Sequence, residues 1–346
     1  MAEKTVRYAW IDVLKAFAIF FIIYSHLGSN PLSVYIFTFM VNIFFFASGL
    51  TSRSGLQKPF REFVTGRFMR LVVPYFSFGI LAIVVKLFID TSEAFSMTGM
   101  IKQLLYACRL NTFAVTLWFL PCLFVMGIYY YAVAKFVKNK WVRFAVCAAV
   151  SVCFRIFSEG NMLPWGIDNA VRYLIYYAAG DALADFFNGL SASPRLIFSR
   201  KWPLVLFAGS VLPAYIQYGY GVEFIPQLMG LPLVYITYAL FGGIYALNNI
   251  FMFSVIAIFM QQVKGLQQLG RQSLAVCCLE LPVNRFVLYG FSTLGLQPSL
   301  GTHGNLLILA VIFILAALQA AKFIERYFPF MLGVVPKPSE SGQQKA

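Results

Sequence analysis

Three ionisable residues share one apolar segment near the N-terminus, WIDVLKAFAIFFIIYSHLG, and no other ionisable residue occurs in it: Asp12, Lys15 and His26. On an α-helix, the eleven steps from Lys15 to His26 bring the chain back to within about 20° of its starting direction, about 16 Å further along the axis. Asp12 stands three residues before Lys15 and so on the same side. A carboxylate, an ammonium and an imidazole thus form one stripe. In lipid such groups are expensive unless they face protein or water, so the stripe is expected to face the interior of a helix bundle. Neutral imidazole is the usual acceptor of a hydroxyl proton near neutral pH, which makes His26 the candidate general base. The plainer reading has Lys15 snorkelling to one membrane face and His26 resting at the other. The only other histidine, His303, lies in the short stretch THGN and reads as a solvated loop residue.

Two further signals lie downstream. In GRFMRLVVPYF, Arg67 and Arg70 are three apart and are expected to share a helix face, and arginine forks suit phosphate groups. Plain anchoring of a span by basic residues is the competing reading. In LWFLPCLF, Trp118 stands near the end of a span, where an interfacial aromatic is ordinary. Glu280, Asn284 and Arg285 add polarity to a late span.

These residues need a scaffold, and composition names its solvent. Hydrophobic residues make up 60% of the chain and charged residues 12%, against about 25% charged in an ordinary soluble domain. The apolar runs are continuous rather than alternating, so they are read as helices: an all-α, polytopic transmembrane bundle in the lipid bilayer. About ten spans are expected, near 10–28, 32–52, 71–89, 113–134, 143–157, 170–187, 203–219, 228–247, 273–294 and 304–324. The stretch 248–263 is also apolar, but a further crossing there would put the Lys264–Arg271 loop on the wrong side; it is expected to be interfacial or re-entrant. The first run keeps Asp12 and Lys15 and lacks a convincing cleavage site, so it is read as a retained span rather than a signal peptide.

The net charge of +14 is spread between the apolar runs, which argues against nucleic-acid binding. Arg53, Lys58, Arg61, Arg67 and Arg70 cluster in one loop, Lys135, Lys138, Lys140 and Arg143 in a second, and Arg195, Arg200 and Lys201 in a third. The loops between them hold Asp90 and Glu93, Glu159 and Asp168, and Glu223. The alternation predicts that the basic loops and both termini, with Lys4, Arg7, Lys322, Arg326, Lys337 and Lys345, are cytoplasmic. The six cysteines form no Cys-x-x-Cys pair and read as small hydrophobes. One transmembrane domain is expected over 1–335, with a disordered cytoplasmic tail over 336–346.

The order Asp-x-x-Lys-x10-His, FFFASGL, Arg-x-x-Arg-x3-Pro-Tyr and Trp-Phe-Leu resembles the membrane acyltransferase-3 family. Lys15 and His26 match its first-span pattern, Phe45-Phe46-Ala47-Ser48-Gly49 the end of its second span, and Arg67, Arg70 and Pro74-Tyr75 its third. LGRQSL at 269–274 and ERYFP at 325–329 are similar to its late motifs, so the resemblance spans nearly the whole chain. It implies an O-acyltransferase that moves an acyl group, usually acetyl from acetyl-CoA, onto a hydroxyl of a cell-envelope or exported glycan. Arg67 and Arg70 would then meet the CoA phosphates, and His26 would deprotonate the acceptor. Lys15 and Asp12 would complete the catalytic stripe, and Trp118 and Glu280 would contact the carbohydrate. It further implies a bacterial cytoplasmic membrane and no metal. Relatives often carry a His soon after Ser-Leu, where this chain offers Glu280, and a His-Met-Pro near the start of the second span, where it reads Thr38-Phe39-Met40. Those departures touch any second-histidine role and the acceptor, not His26. The rival readings are a polytopic transporter or flippase of a glycan or lipid-linked sugar, and a non-catalytic partner in an export complex.

Overall fold

Long apolar runs leave the backbone no hydrogen-bond partner but itself in lipid, and every regular element among the described residues is helical. The computed structural model describes residues 7–89, 96–109, 116–158, 162–193, 201–222, 224–230, 235–295 and 303–334. Lys4, Asp90, Glu93, Glu159, Arg195, Arg200, Glu223 and the tail 336–346 lie outside the described residues.

The chain opens with α1 (Ala9–Leu27) and returns through α2 (Pro31–Phe37) and α3 (Met40–Leu50). A short α4 (Arg53–Leu56) leads to α5 (Phe60–Arg67), which passes through a π turn at Phe68–Val72 into α6 (Val73–Ile89). Next come α7 (Met97–Tyr106), α8 (Phe119–Phe136), α9 (Lys140–Phe157), α10 (Ile167–Arg172) and α11 (Leu174–Ala192). The chain continues with α12 (Lys201–Tyr220), α13 (Phe224–Leu228) and α14 (Tyr235–Phe259), then α15 (Lys264–Arg271), α16 (Ser273–Thr293) and α17 (His303–Tyr327).

Seven helical stretches among the described residues are long and apolar enough to cross a membrane: Ala9–Leu27, Pro31–Leu50, Phe60–Phe88, Phe119–Phe136, Leu240–Phe259, Ser273–Thr293 and His303–Tyr327. The other three expected spans coincide with α9, α11 and α12, helices of 18, 19 and 20 residues, so the bundle is consistent with ten crossings. Two expectations change. The run 228–263 does not divide near 247: α14 continues unbroken for 25 residues to Phe259, and a turn then starts α15. One helix supplies the single crossing, because its mid-helix amides are bonded inside the bundle. Asn249 donates to Gln217 at 2.7 Å and accepts from the Tyr35 hydroxyl at 2.7 Å, while Asn248 donates to the Ser210 carbonyl. The second span, by contrast, breaks between α2 and α3, where Gln217 donates to the Thr38 hydroxyl and Asn42 to the Thr38 carbonyl.

Several contacts gather the start of α1 and the first two basic loops at one end. Trp10, at the start of α1, lies 3.3 Å from Asn188 near the end of α11. Tyr131 donates to the Lys58 carbonyl, and Arg53 and Lys140 meet on Asp185. Backbone-to-backbone contact sets the packing between α3 and α11. A Cβ on Gly49 would lie 1.9 Å from the Tyr177 carbonyl oxygen, and one on Gly180 would lie 2.2 Å from that of Phe46. Small residues that let backbones meet are a main source of helix association in lipid. Gly49→Val is therefore expected to lower stability by about 1–3 kcal/mol, the range for overpacking. The measure is the melting temperature of the detergent-solubilised protein; an unshifted melt would refute the close approach.

Candidate active site

His26 closes α1, and Glu280 reaches it from the second turn of α16, with Nδ1 and Oε1 2.6 Å apart. With the carboxylate as acceptor Nδ1 is the donor, and a neutral ring then keeps its lone pair at Nε2. The Glu280 side chain is 4% exposed and that of His26 22%, so the carboxylate is sealed while the imidazole stays partly accessible. Glu280 Oε2 and, one helical turn on, Asn284 Oδ1 are buried and accept no hydrogen bond among the described residues. The first-span stripe is thus shared between two separate pairings. Asp12 takes Lys15 at 3.0 Å and Arg7 at 2.8 Å, with Arg271 at 3.7 Å. Gly270 lets α15 lie directly on α1, since a Cβ there would sit 1.7 Å from the Asp12 carbonyl oxygen.

His303 is not the loop residue expected. It opens α17, and its Nδ1 lies 2.9 Å from the Tyr24 hydroxyl, which also accepts from Asn30 at 3.2 Å.

Arg67 and Arg70 part company. Arg67 turns into the bundle, donating to the Leu123 carbonyl at 3.0 Å and the Tyr177 hydroxyl at 3.2 Å, while its Nε is buried with no hydrogen-bond partner among the described residues. Gly127 makes room, since a Cβ there would lie 2.3 Å from the Arg67 Nε. Arg70 is exposed. The shared face assumed a continuous α-helix, and the π turn at Phe68–Val72 interrupts it. Trp118 is buried rather than set in a lipid-facing belt. The Arg109 guanidinium lies 5.1 Å from its ring centroid, and the Tyr173 ring lies 6.4 Å away.

The arrangement missed from the sequence is a row of cations along α11. Tyr173, the residue that caps α11, and Tyr177, Asp181 and Asp185 recur every four residues, each one turn on and about 40° round from the last. Asp185 takes Arg53 and Lys140. The fully buried Asp181 takes Arg143 at 2.5 Å, Tyr130 at 2.5 Å and Arg53 at 3.3 Å. Tyr177 takes Arg67, and the Tyr173 hydroxyl takes Arg109 at 2.6 Å. The spacing of four within YLIYYAAGDALAD was the available signal.

Fold and site together define a multi-pass helical membrane protein that holds an imidazole–carboxylate pair and a row of arginines inside its bundle. The family model described as an acyltransferase domain matches residues 8–321, from the start of α1 into α17. The chain belongs to the acyltransferase-3 family and is a membrane acyltransferase. No curated protein and no solved structure matches it.

Proposed function

We propose that the protein moves an acyl group, acetyl in the first instance, from cytoplasmic acyl-CoA to a hydroxyl of a cell-envelope or exported glycan, with His26 as general base. The observation that carries this reading is the 2.6 Å contact between His26 Nδ1 and the buried Glu280 carboxylate. Glu280 fixes the ring and its tautomer and stabilises the imidazolium that forms. The acceptor oxygen attacks the thioester carbonyl as its proton passes to His26 Nε2. The carbon–sulfur bond breaks, and the proton goes on to the departing CoA thiolate. Glu280 Oε2 and Asn284 Oδ1, buried acceptors beside the imidazole, suit neighbouring sugar hydroxyls.

The end of the bundle where the first two basic loops gather would be cytoplasmic, in a bacterial inner membrane, with both termini on that side. Arg67 would bind the donor from inside the bundle and the exposed Arg70 from its approach. Lys15 and Asp12 would hold the start of α1. The test uses the full chain in lipid nanodiscs with acetyl-labelled acetyl-CoA and an oligosaccharide. Label is expected to appear on the glycan, and Glu280→Gln is expected to lower kcat by at least tenfold with little change in the KM for acetyl-CoA. A protein that carries the oligosaccharide across the bilayer without labelling it would favour transport.

A further inference from the structure

We infer that Arg109 joins Arg67 in a clamp for the diphosphate of the acyl donor, set on the Tyr173–Tyr177 stretch of α11. The inference rests on the acyl-CoA reading above and extends it to a residue outside the recognised motifs.

The four rungs on α11 differ in one respect. At Asp181 and Asp185 the cations meet carboxylates. At Tyr173 and Tyr177 they meet only neutral oxygens and ring faces, and among the described residues neither Arg109 nor Arg67 forms an ion pair. Part-buried cations without a counter-charge are unfavourable inside a bundle, and an anionic ligand lowers that cost. Arg172 and Asp168 on α10 carry opposite charges, and Arg155, 5.8 Å from the Tyr173 ring centroid, is a further cation, so the balance here stays positive.

Shape and position agree. Tyr173 caps the N-terminus of α11 and Tyr177 stands in its first turn, so the two guanidinium forks meet neighbouring hydroxyls at that end of the helix, and such forks suit phosphoryl groups. Both arginines also meet the N-terminal part of α8: Arg67 bonds the Leu123 carbonyl, and the Arg109 guanidinium lies over the ring of Trp118. That terminus has Trp118 as its cap residue and no side-chain cap, so its amide dipoles add to the positive field. The aromatic faces of Trp118 and Tyr173 hold Arg109 in place, 5.1 Å and 5.9 Å from the ring centroids.

The experiment measures binding to the full chain in neutral-lipid nanodiscs by calorimetry. Three probes are compared: acetyl-CoA, S-acetylpantetheine, which has the thioester arm but no diphosphate, and farnesyl diphosphate, which has a lipid-borne diphosphate but no thioester. Arg109→Gln is expected to weaken acetyl-CoA binding at least tenfold and S-acetylpantetheine binding less than twofold, with Arg109→Lys recovering part of the loss. Unchanged acetyl-CoA affinity in Arg109→Gln would overturn the clamp. Equal losses for both thioesters would overturn it too, by reducing Arg109 to a structural residue. A loss confined to farnesyl diphosphate would reassign the site to a lipid-linked diphosphate and overturn the donor assignment. A wild-type protein that binds no acetyl-CoA would instead sink the acyl-CoA reading itself, and the clamp with it.

Discussion

His26→Ala protein is expected to lose acyl transfer by about 10²–10⁴-fold while binding acetyl-CoA at close to the wild-type affinity. A sugar hydroxyl is a weak nucleophile at neutral pH because its proton must leave as the carbonyl is attacked. His26 is the imidazole whose Nδ1 is held by a buried carboxylate, which leaves Nε2 to take that proton. His26→Gln is expected to fail similarly, because an amide can bond Glu280 but cannot accept the proton. The loss belongs in kcat, since the imidazole lies apart from the arginines argued to bind the donor. Labelled acetyl transfer to glycan in nanodiscs, run beside a binding isotherm for acetyl-CoA, separates the two. Wild-type transfer by a well-folded His26→Ala protein would remove His26 from the mechanism.

Asp181→Ala is expected to destabilise the bundle by about 3–5 kcal/mol, the range for stripping one partner from a buried ion pair. Asp181 is fully buried and receives Arg143, Tyr130 and Arg53. Its removal leaves the Arg143 guanidinium desolvated without a counter-charge. Asp185, one turn on, is a built-in comparison: it also takes Arg53 and Lys140, but its side chain is 59% exposed. Solvent screens that pairing, so Asp185→Ala is expected to change stability by no more than about 1 kcal/mol. Unfolding in mixed detergent micelles gives both numbers. Equal losses for the two variants would mean that burial does not set the strength of this cluster.

How far the sequence could be read depends on the range of each interaction. Helical spans were legible because each is an apolar run of about the bilayer's thickness, a property of local composition. The position of α14 is not legible because 228–263 is longer than one span and the side of the Lys264–Arg271 loop fixes only the number of crossings; the partners of Asn248 and Asn249 lie far off in sequence, on α12 and α2. The amphipathic α7 is too short to stand out. His26 was legible as an imidazole inside a span. Its partner was not, since Glu280 lies 254 positions away and only folding brings them together. Arg67 and Arg70 were found by spacing and then separated by a change of helix type. Arg109 belongs to no motif, and its relation to Tyr173 comes from the packing of a loop against α11.

The π turn also has a consequence for arithmetic along the chain. Arg67 and Tyr75 both face the bundle, Arg67 through Tyr177 and Tyr75 through a hydroxyl bond to the Leu104 carbonyl. Eight steps of regular α-helix would leave two side chains about 80° out of phase. A wide turn absorbs one residue, so the phase becomes that of seven steps, about 20°. The distance in sequence between the arginine motif and the Pro-Tyr that follows it is therefore a measure of mixed pitch. A chain one residue shorter here would reach the same two directions with an unbroken α-helix, whereas this chain keeps the additional residue and carries a local widening beside the arginine that faces inward.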